Sequence, residues 1–109
     1  MTFKARLDHT CMPRSKAAAR QYDAEEIVLY VDLPFVPAIG TMLKPTAEDD
    51  FLPVRDVLLD LSPGGEGLVL GLEEPSESNG TRLEPWAEMK KRGWKLASVD
   101  FIEKQGAKT

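Results

Sequence analysis

The chain has 109 residues, of which 42% are hydrophobic and 29% are charged, and its formal net charge of -4 gives an isoelectric point near 5.0. This size and composition are typical of one globular domain with a single core, and they exclude wholesale disorder. No apolar run approaches the ~20 residues that span a bilayer, no signal-peptide pattern begins the chain, and the lone cysteine, Cys11, excludes an internal disulfide. We therefore expect a cytoplasmic protein of one domain, residues 1–109, without membrane contact.

The N-terminal part, residues 1–24, is predicted to hold one strand followed by a short helix or an ordered loop. Residues 2–8 alternate between apolar and polar side chains, as in a strand with one buried face. Residues 9–13 break this pattern, and the following segment KAAARQY favours helix by its intrinsic propensity.

The central part, residues 25–73, is predicted to contain most of the sheet. Residues 26–33 (EIVLYVDL) alternate along two faces of a strand. We expect both faces to be at least half covered by other parts of the protein. The prolines of LPFVPAIG, residues 33–40, cannot donate to a sheet ladder, so this segment is expected to leave the sheet, with its apolar side chains covering one end of the core. Gly40 allows a sharp turn before a short strand at residues 41–44.

A hairpin is predicted at the end of the central part. Residues 47–50 (AEDD) form a solvated loop, and residues 51–61 then extend again in strict alternation, which places Arg55 and Asp56 on opposite faces. The segment SPGGEG contains three glycines that permit a tight connection, and residues 68–72 form the partner strand.

The C-terminal part is predicted to contain a helix at residues 83–93 and a strand at residues 94–103. Glu84 is the candidate cap, Pro85 suits the first helical position, and Gly93 suits the end of the helix. The strand prediction rests on a second alternating stretch, with three residues facing inward: Ala97, Val99 and Phe101. The final residues, KQGAKT, are expected to be a frayed tail.

These elements indicate an α+β fold. Five to six short strands with one or two short helices favour a small, strongly bent antiparallel sheet that closes into a β-barrel or roll.

Charge is distributed unevenly along the chain. Residues 23–77 hold thirteen acidic side chains against two basic ones, whereas residues 1–22 hold five basic against one acidic, and residues 78–109 hold seven basic against four acidic. Neighbouring strands of one chain could neutralise these charges, or the basic ends could bind an anion. Two copies could also match opposite charges, and we therefore expect a homodimer.

Catalytic chemistry has little support in the sequence. A catalytic zinc site generally needs three protein ligands with histidine prominent, and the chain has one histidine, His9, and one cysteine, Cys11. These two could form a thiolate–imidazole pair, but no third, orienting residue is identifiable. We therefore expect a protein that is not an enzyme and that uses no metal or cofactor.

One motif resembles a known family. Asp60, Ser62 and Gly65 in DLSPGG match the DxSxxG motif of PilZ domains, which are small bacterial β-barrels that bind cyclic di-GMP. The continuation GLVLGLEEP is similar to the strand after that motif, and KAAAR resembles the family's RxxxR loop with lysine in place of the first arginine. The resemblance implies that Lys16 and Arg20 bind the anion and that Asp60 and Ser62 contact a base or ribose. The same residue types also favour a hairpin turn without a ligand.

The phrase LPFVPAIG is similar to one in short bacterial accessory proteins of unknown activity, a likeness that implies a compact barrel and no reaction. Our leading hypothesis is a non-enzymatic binding or interaction module that self-associates. One alternative is a PilZ-like domain that binds a cyclic dinucleotide. A second is a small barrel that binds nucleic acid, which the isoelectric point near 5.0 disfavours.

Overall fold

The structure is a computed structural model that describes residues 2–13, 24–73 and 84–107, with side chains described as far as residue 103. Within these residues the chain forms six strands and two helices, which in order are β1 (Phe3–Cys11), β2 (Glu25–Leu33), β3 (Met42–Leu43), β4 (Leu52–Asp60), β5 (Gly67–Leu72), α1 (Trp86–Lys91), β6 (Lys95–Leu96) and α2 (Ala97–Ala107). No described helix has the length and apolar character that a membrane span requires. The predicted helix or loop between β1 and β2 lies outside the described residues.

The strands form a mixed sheet in the order β3-β4-β5-β1-β2-β6. This confirms a small α+β fold, but the prediction of an antiparallel sheet is wrong because β1 and β5 run parallel. A parallel pair needs a long connection, which the residues between these two strands provide, and side-chain alternation carries no information about strand direction. The described strands do not form a closed barrel, and the sheet order ends at β3 and β6.

The chain divides into two compact units. Unit 1 comprises Met1–His9 and Leu29–Glu73, and unit 2 comprises Thr10–Val28 and Glu74–Thr109. The boundaries fall inside β1 and β2.

The core of unit 1 is built around β5, whose apolar side chains are buried on both faces. In the parallel register Ala5 pairs with Leu68 and Leu7 pairs with Leu70, so the buried rows of β1 and β5 share one face. The predicted first strand is confirmed, and it continues to Cys11 where the sequence pattern was expected to break. Each fully buried leucine contributes about 1.5–3 kcal/mol relative to an exposed one.

The β4–β5 hairpin is confirmed, but its strands do not alternate strictly. Val54 pairs with Leu72 and Asp56 pairs with Gly71, so Arg55 is an extra residue in a β-bulge. A Cβ placed on Gly71 would meet the Asp56 carboxylate at 2.9 Å and the Arg55 guanidinium at 3.4 Å. The bulge therefore turns Arg55 and Asp56 to the same face of the sheet, contrary to the prediction.

The segment LPFVPAIG leaves the sheet as predicted, and Gly40 turns it with a φ of 92° before β3. The prediction that its apolar side chains cover the core is wrong. Phe35, Val36 and Ile39 are exposed, and Pro37 is the buried residue of the segment. The end of the segment is fastened to β4 by backbone hydrogen bonds, which leave its side chains directed to solvent.

Unit 2 contains the end of β1, the first part of β2, and α1, β6 and α2. Ile27 pairs with Leu96 in the antiparallel β2–β6 ladder, and both are buried. The predicted helix at residues 83–93 is confirmed as the shorter α1, whose cap is Pro85 in an extended conformation and not Glu84. Gly93, at a φ of 102°, reverses the chain after it and lets buried Trp94 follow.

The predicted C-terminal strand at residues 94–103 is wrong beyond Leu96. Residues 97–107 form α2, in which Asp100 is buried while Val99 and Phe101 are exposed. Alternation over three positions is too short to specify a strand, and an acidic residue in the first turn favours the helix through its dipole. Four residues of the expected frayed tail continue the helix as far as Ala107.

Candidate functional site

The turn of the β4–β5 hairpin contains three of the five residues predicted to bind a ligand. The Asp60 carboxylate accepts hydrogen bonds from the Ser62 backbone N–H at 3.0 Å, from the Ser62 hydroxyl, and from the Glu66 N–H at 3.2 Å. The Gly65 N–H donates to the Ser62 carbonyl at 2.8 Å and closes the turn. Hydrogen bonds from the Ser62 side chain and backbone, and then from the Glu66 backbone, hold the pKa of Asp60 below its ordinary value.

Gly65 lies very close to the Asp60 side chain in this turn. A Cβ at this position would overlap the Asp60 carboxylate, which lies nearer than van der Waals contact allows. The turn itself therefore explains the spacing of the motif. Asp60 supplies the hydrogen-bond acceptor, Ser62 supplies donors, and Gly65 leaves room for the Asp60 carboxylate. The polar groups that the resemblance assigned to a nucleotide are already bonded to one another.

The other two predicted ligand residues, Lys16 and Arg20, lie outside the described residues. Of the predicted ligand site, the structure thus brings together Asp60, Ser62 and Gly65, and it does so as a hairpin turn.

A buried polar cluster in unit 1 was missed by the sequence reasoning. His9 is 7% exposed and Asp49 is 6% exposed, although Asp49 was predicted to lie in a solvated loop. The Thr46 hydroxyl donates to Asp49 Oδ2 at 2.7 Å. Burial lowers the pKa of His9 to about 4, while the charge of Asp49 opposes this shift and that of Arg55 adds to it. The alternation of β1, continued past residue 8, would have indicated that His9 faces inward.

Cys11 does not have the environment of a catalytic nucleophile. The residue is fully buried, its thiol donates to the Met12 carbonyl at 3.4 Å, and burial raises the pKa of the thiol to about 11. Reactive cysteines are accessible and have a lowered pKa. Within the described residues there is also no group of three histidine, cysteine, aspartate or glutamate side chains that could hold a metal ion.

An ion-pair network joins β1 to the hairpin connection. Arg6 Nε lies 2.8 Å from Asp8 Oδ1, and Arg6 Nη1 lies 2.9 Å from Glu66 Oε2. Arg6 is half-buried in this network, so its guanidinium acts as a bridge between two acidic side chains. The sequence reasoning had placed Arg6 only on the polar face of a strand.

Large apolar side chains of unit 1 lie at the surface in two groups. The loop group comes from the chain between β2 and β4 and consists of Phe35, Val36, Ile39, Met42 and Phe51. The hairpin group stands at the end of β4 next to the turn and consists of Leu58, Leu59 and Leu61. Leu58 and Leu59 are 59% and 63% exposed although they belong to opposite faces of the strand. The sequence had predicted that three of them, Phe35, Val36 and Ile39, cover one end of the core.

The outer edge of β4 is open over most of its length. On this edge β3 pairs with Leu52 and Pro53, and Val54 exchanges hydrogen bonds of 2.8 Å with Gly40 and Thr41. From Asp56 to Asp60, none of the residues that the structure describes forms a strand pair with β4 on the side away from β5. The open edge therefore coincides with the hairpin group.

The chain has been compared with protein-family models, with curated proteins and with solved structures, and none of them matches it.

Proposed function

We propose that this protein is a non-enzymatic interaction module that self-associates through the exposed apolar side chains of unit 1. The observation that carries the proposal is the exposure of the loop group and the hairpin group in an otherwise well-packed unit. Monomeric proteins rarely expose contiguous apolar patches of more than a few hundred Å², and larger patches mark sites of interaction.

The free energy of association favours a second copy of the chain over a small ligand as the partner. Burying an exposed leucine is worth about 1.5–3 kcal/mol, and association costs roughly 4–15 kcal/mol in lost freedom. The three leucines of the hairpin group, already partly covered, offset only part of this cost from one chain. A second copy contributes the same group again, which brings the gain to the size of the cost. We therefore expect a dimer whose population depends on concentration.

Sedimentation velocity tests this proposal directly. Between about 2 and about 200 µM protein we expect the weight-average mass to rise from 12.1 kDa toward twice that value. A mass that stays at 12.1 kDa over the whole range would contradict self-association.

The PilZ resemblance supplies an alternative for the same protein. Its residues Asp60 and Ser62 are engaged within the turn, so we expect cyclic di-GMP at about 100 µM to leave the melting temperature unchanged. A rise that the substitution Arg20→Ala removes would replace our proposal with cyclic dinucleotide binding.

A further inference from the structure

We propose that the β3–β4 connection, residues 44–51, opens in acid when the buried side chain of His9 takes up a proton, while the β4–β5 hairpin remains folded. The opening occurs within one chain and does not require the self-association proposed above. It also differs from a general loss of stability, because one connection of unit 1 moves while the other strands keep their positions.

The connection is held in place mainly by polar groups. Residues 44–51 are all described, and Asp49 is the single one of them that is buried. The Thr46 hydroxyl donates to Asp49 Oδ2 at 2.7 Å, and the Asp49 N–H donates to the Thr46 carbonyl at 3.2 Å. Phe51, the largest apolar side chain of the connection, is exposed. Segments that bury so little apolar surface are the parts of a fold that open most easily.

The charges around His9 make the closed form a poor environment for a protonated imidazole. Asp49 approaches from the connection and Arg55 from β4, and their charges act on His9 in opposite directions. β5 carries only glycine, leucine and valine, and β2 contributes Glu25, whose charge acts on Cys11. Burial and Arg55 together outweigh the attraction of Asp49. Opening the connection removes the cover that Asp49 provides and lets water reach His9.

Protonation of His9 is strong enough to open a connection of this kind. Burial lowers the pKa of His9 to about 4 in the closed form, whereas a hydrated histidine has its ordinary value of 6.5. Acidification from about pH 7 to about pH 4 therefore favours the open form by on the order of 100-fold. A connection that is open in about one molecule in a hundred at neutral pH is then open in about half of them.

Amide chemical shifts measured by NMR between about pH 7 and about pH 4 test the opening. We expect the amide signals of Thr46, Asp49 and Asp50 to move toward the positions of an unfolded chain as the pH approaches about 4. The signals of β5, Gly67–Leu72, should keep their folded positions over the same range. Loop signals that stay folded throughout, or that are lost only together with those of β5, would overturn the proposal.

Three substitutions identify the groups responsible. His9→Gln cannot take up the proton, so the connection should stay closed down to about pH 4. Thr46→Val removes the donor to the buried Asp49 carboxylate and should raise the pH of opening by about 1 unit. Asp50→Asn is the matched control, because it changes the exposed neighbour of Asp49, and it should move the pH of opening by less than about 0.3 units.

The outcomes for these variants are decisive in both directions. Opening of His9→Gln at the same pH as the wild type would show that another group drives the change. An equal shift in Thr46→Val and Asp50→Asn would show that the hydrogen bond to Asp49 does not hold the connection. A wild-type chain that stays monomeric contradicts the proposed function and leaves the acid opening unaffected.

Discussion

Asp60 and Gly65 form a coupled pair at the tip of the hairpin. Replacing Gly65 by alanine introduces a Cβ where the Asp60 carboxylate lies, so the carboxylate must move and its bonds to Ser62 and Glu66 break. We expect Gly65→Ala to lower the urea midpoint of unfolding. In the Asp60→Ala background the overlap no longer exists, and the same substitution should have less than half its effect. Equal effects in both backgrounds would show that the two residues are not coupled.

His9 should make the stability of the protein depend on pH. The unfolded chain takes up a proton near pH 6.5, whereas burial lowers the pKa of His9 in the folded chain to about 4. The folded state is therefore most stable above pH 6.5, and stability falls as the pH decreases from 6.5 to 4, by on the order of 3 kcal/mol.

Urea denaturation of the wild type and of His9→Gln between pH 4 and 7 measures this contribution. Above pH 4 the free energy of unfolding should depend less on pH in the variant than in the wild type, whatever the stability of the variant at pH 7. Parallel slopes in the two proteins would exclude His9 as the origin, and Asp60, whose pKa is lowered from 3.8, acts only at more acidic pH.

At the scale of elements, α2 presents apolar side chains to solvent. Phe101 is exposed and Leu96, in the neighbouring β6, is buried. We expect Phe101→Lys to change the free energy of unfolding by no more than about 0.5 kcal/mol, as for a surface position, and Leu96→Ala to lower it by about 2–5 kcal/mol. A large loss of unfolding free energy in Phe101→Lys would instead support the strand predicted from the sequence, in which Phe101 faces inward.

The elements predicted well are those in which local pattern and burial agree. β1, β2 and the β4–β5 hairpin follow from alternating side chains and from the glycine-rich turn between Asp60 and Gly67. α2 was mistaken for a strand because its first apolar residues stand at alternate positions, a strand pattern that is too short here to be reliable. The bulge at Arg55 was equally invisible, since an inserted residue changes the register without changing the composition.

Only part of the candidate site could be predicted from the sequence. The turn formed by Asp60, Ser62 and Gly65 was anticipated as the alternative to a nucleotide site, and its hydrogen bonds explain the motif. The open edge of β4 was not anticipated, because it depends on how little of that strand the two-residue β3 covers. Exposure of Leu58 and Leu59 likewise reflects the tertiary arrangement, whereas apolar character alone predicts burial.

In the molecule as a whole, the excess of acidic residues and the exposed apolar side chains fall in the same part of the chain, unit 1. The acidic central part of the sequence, residues 23–77, contains all of β3, β4 and β5, as well as the loop and hairpin groups. Net negative charge keeps such a surface from associating indiscriminately. Sheet order, in contrast, was not predictable, because no local signal pairs β1 with β5.

That parallel pairing also determines when the fold can be completed. Ala5 pairs with Leu68, about 60 residues later, so at typical rates of synthesis β1 leaves the ribosome roughly 3–12 s before its partner exists. The hairpin of β4 and β5 closes a short loop and can form within microseconds of its own synthesis. β1 can therefore join this hairpin only after β5 has been synthesised, and until then β2, its other neighbour in the sheet, is the partner that follows it early in the chain.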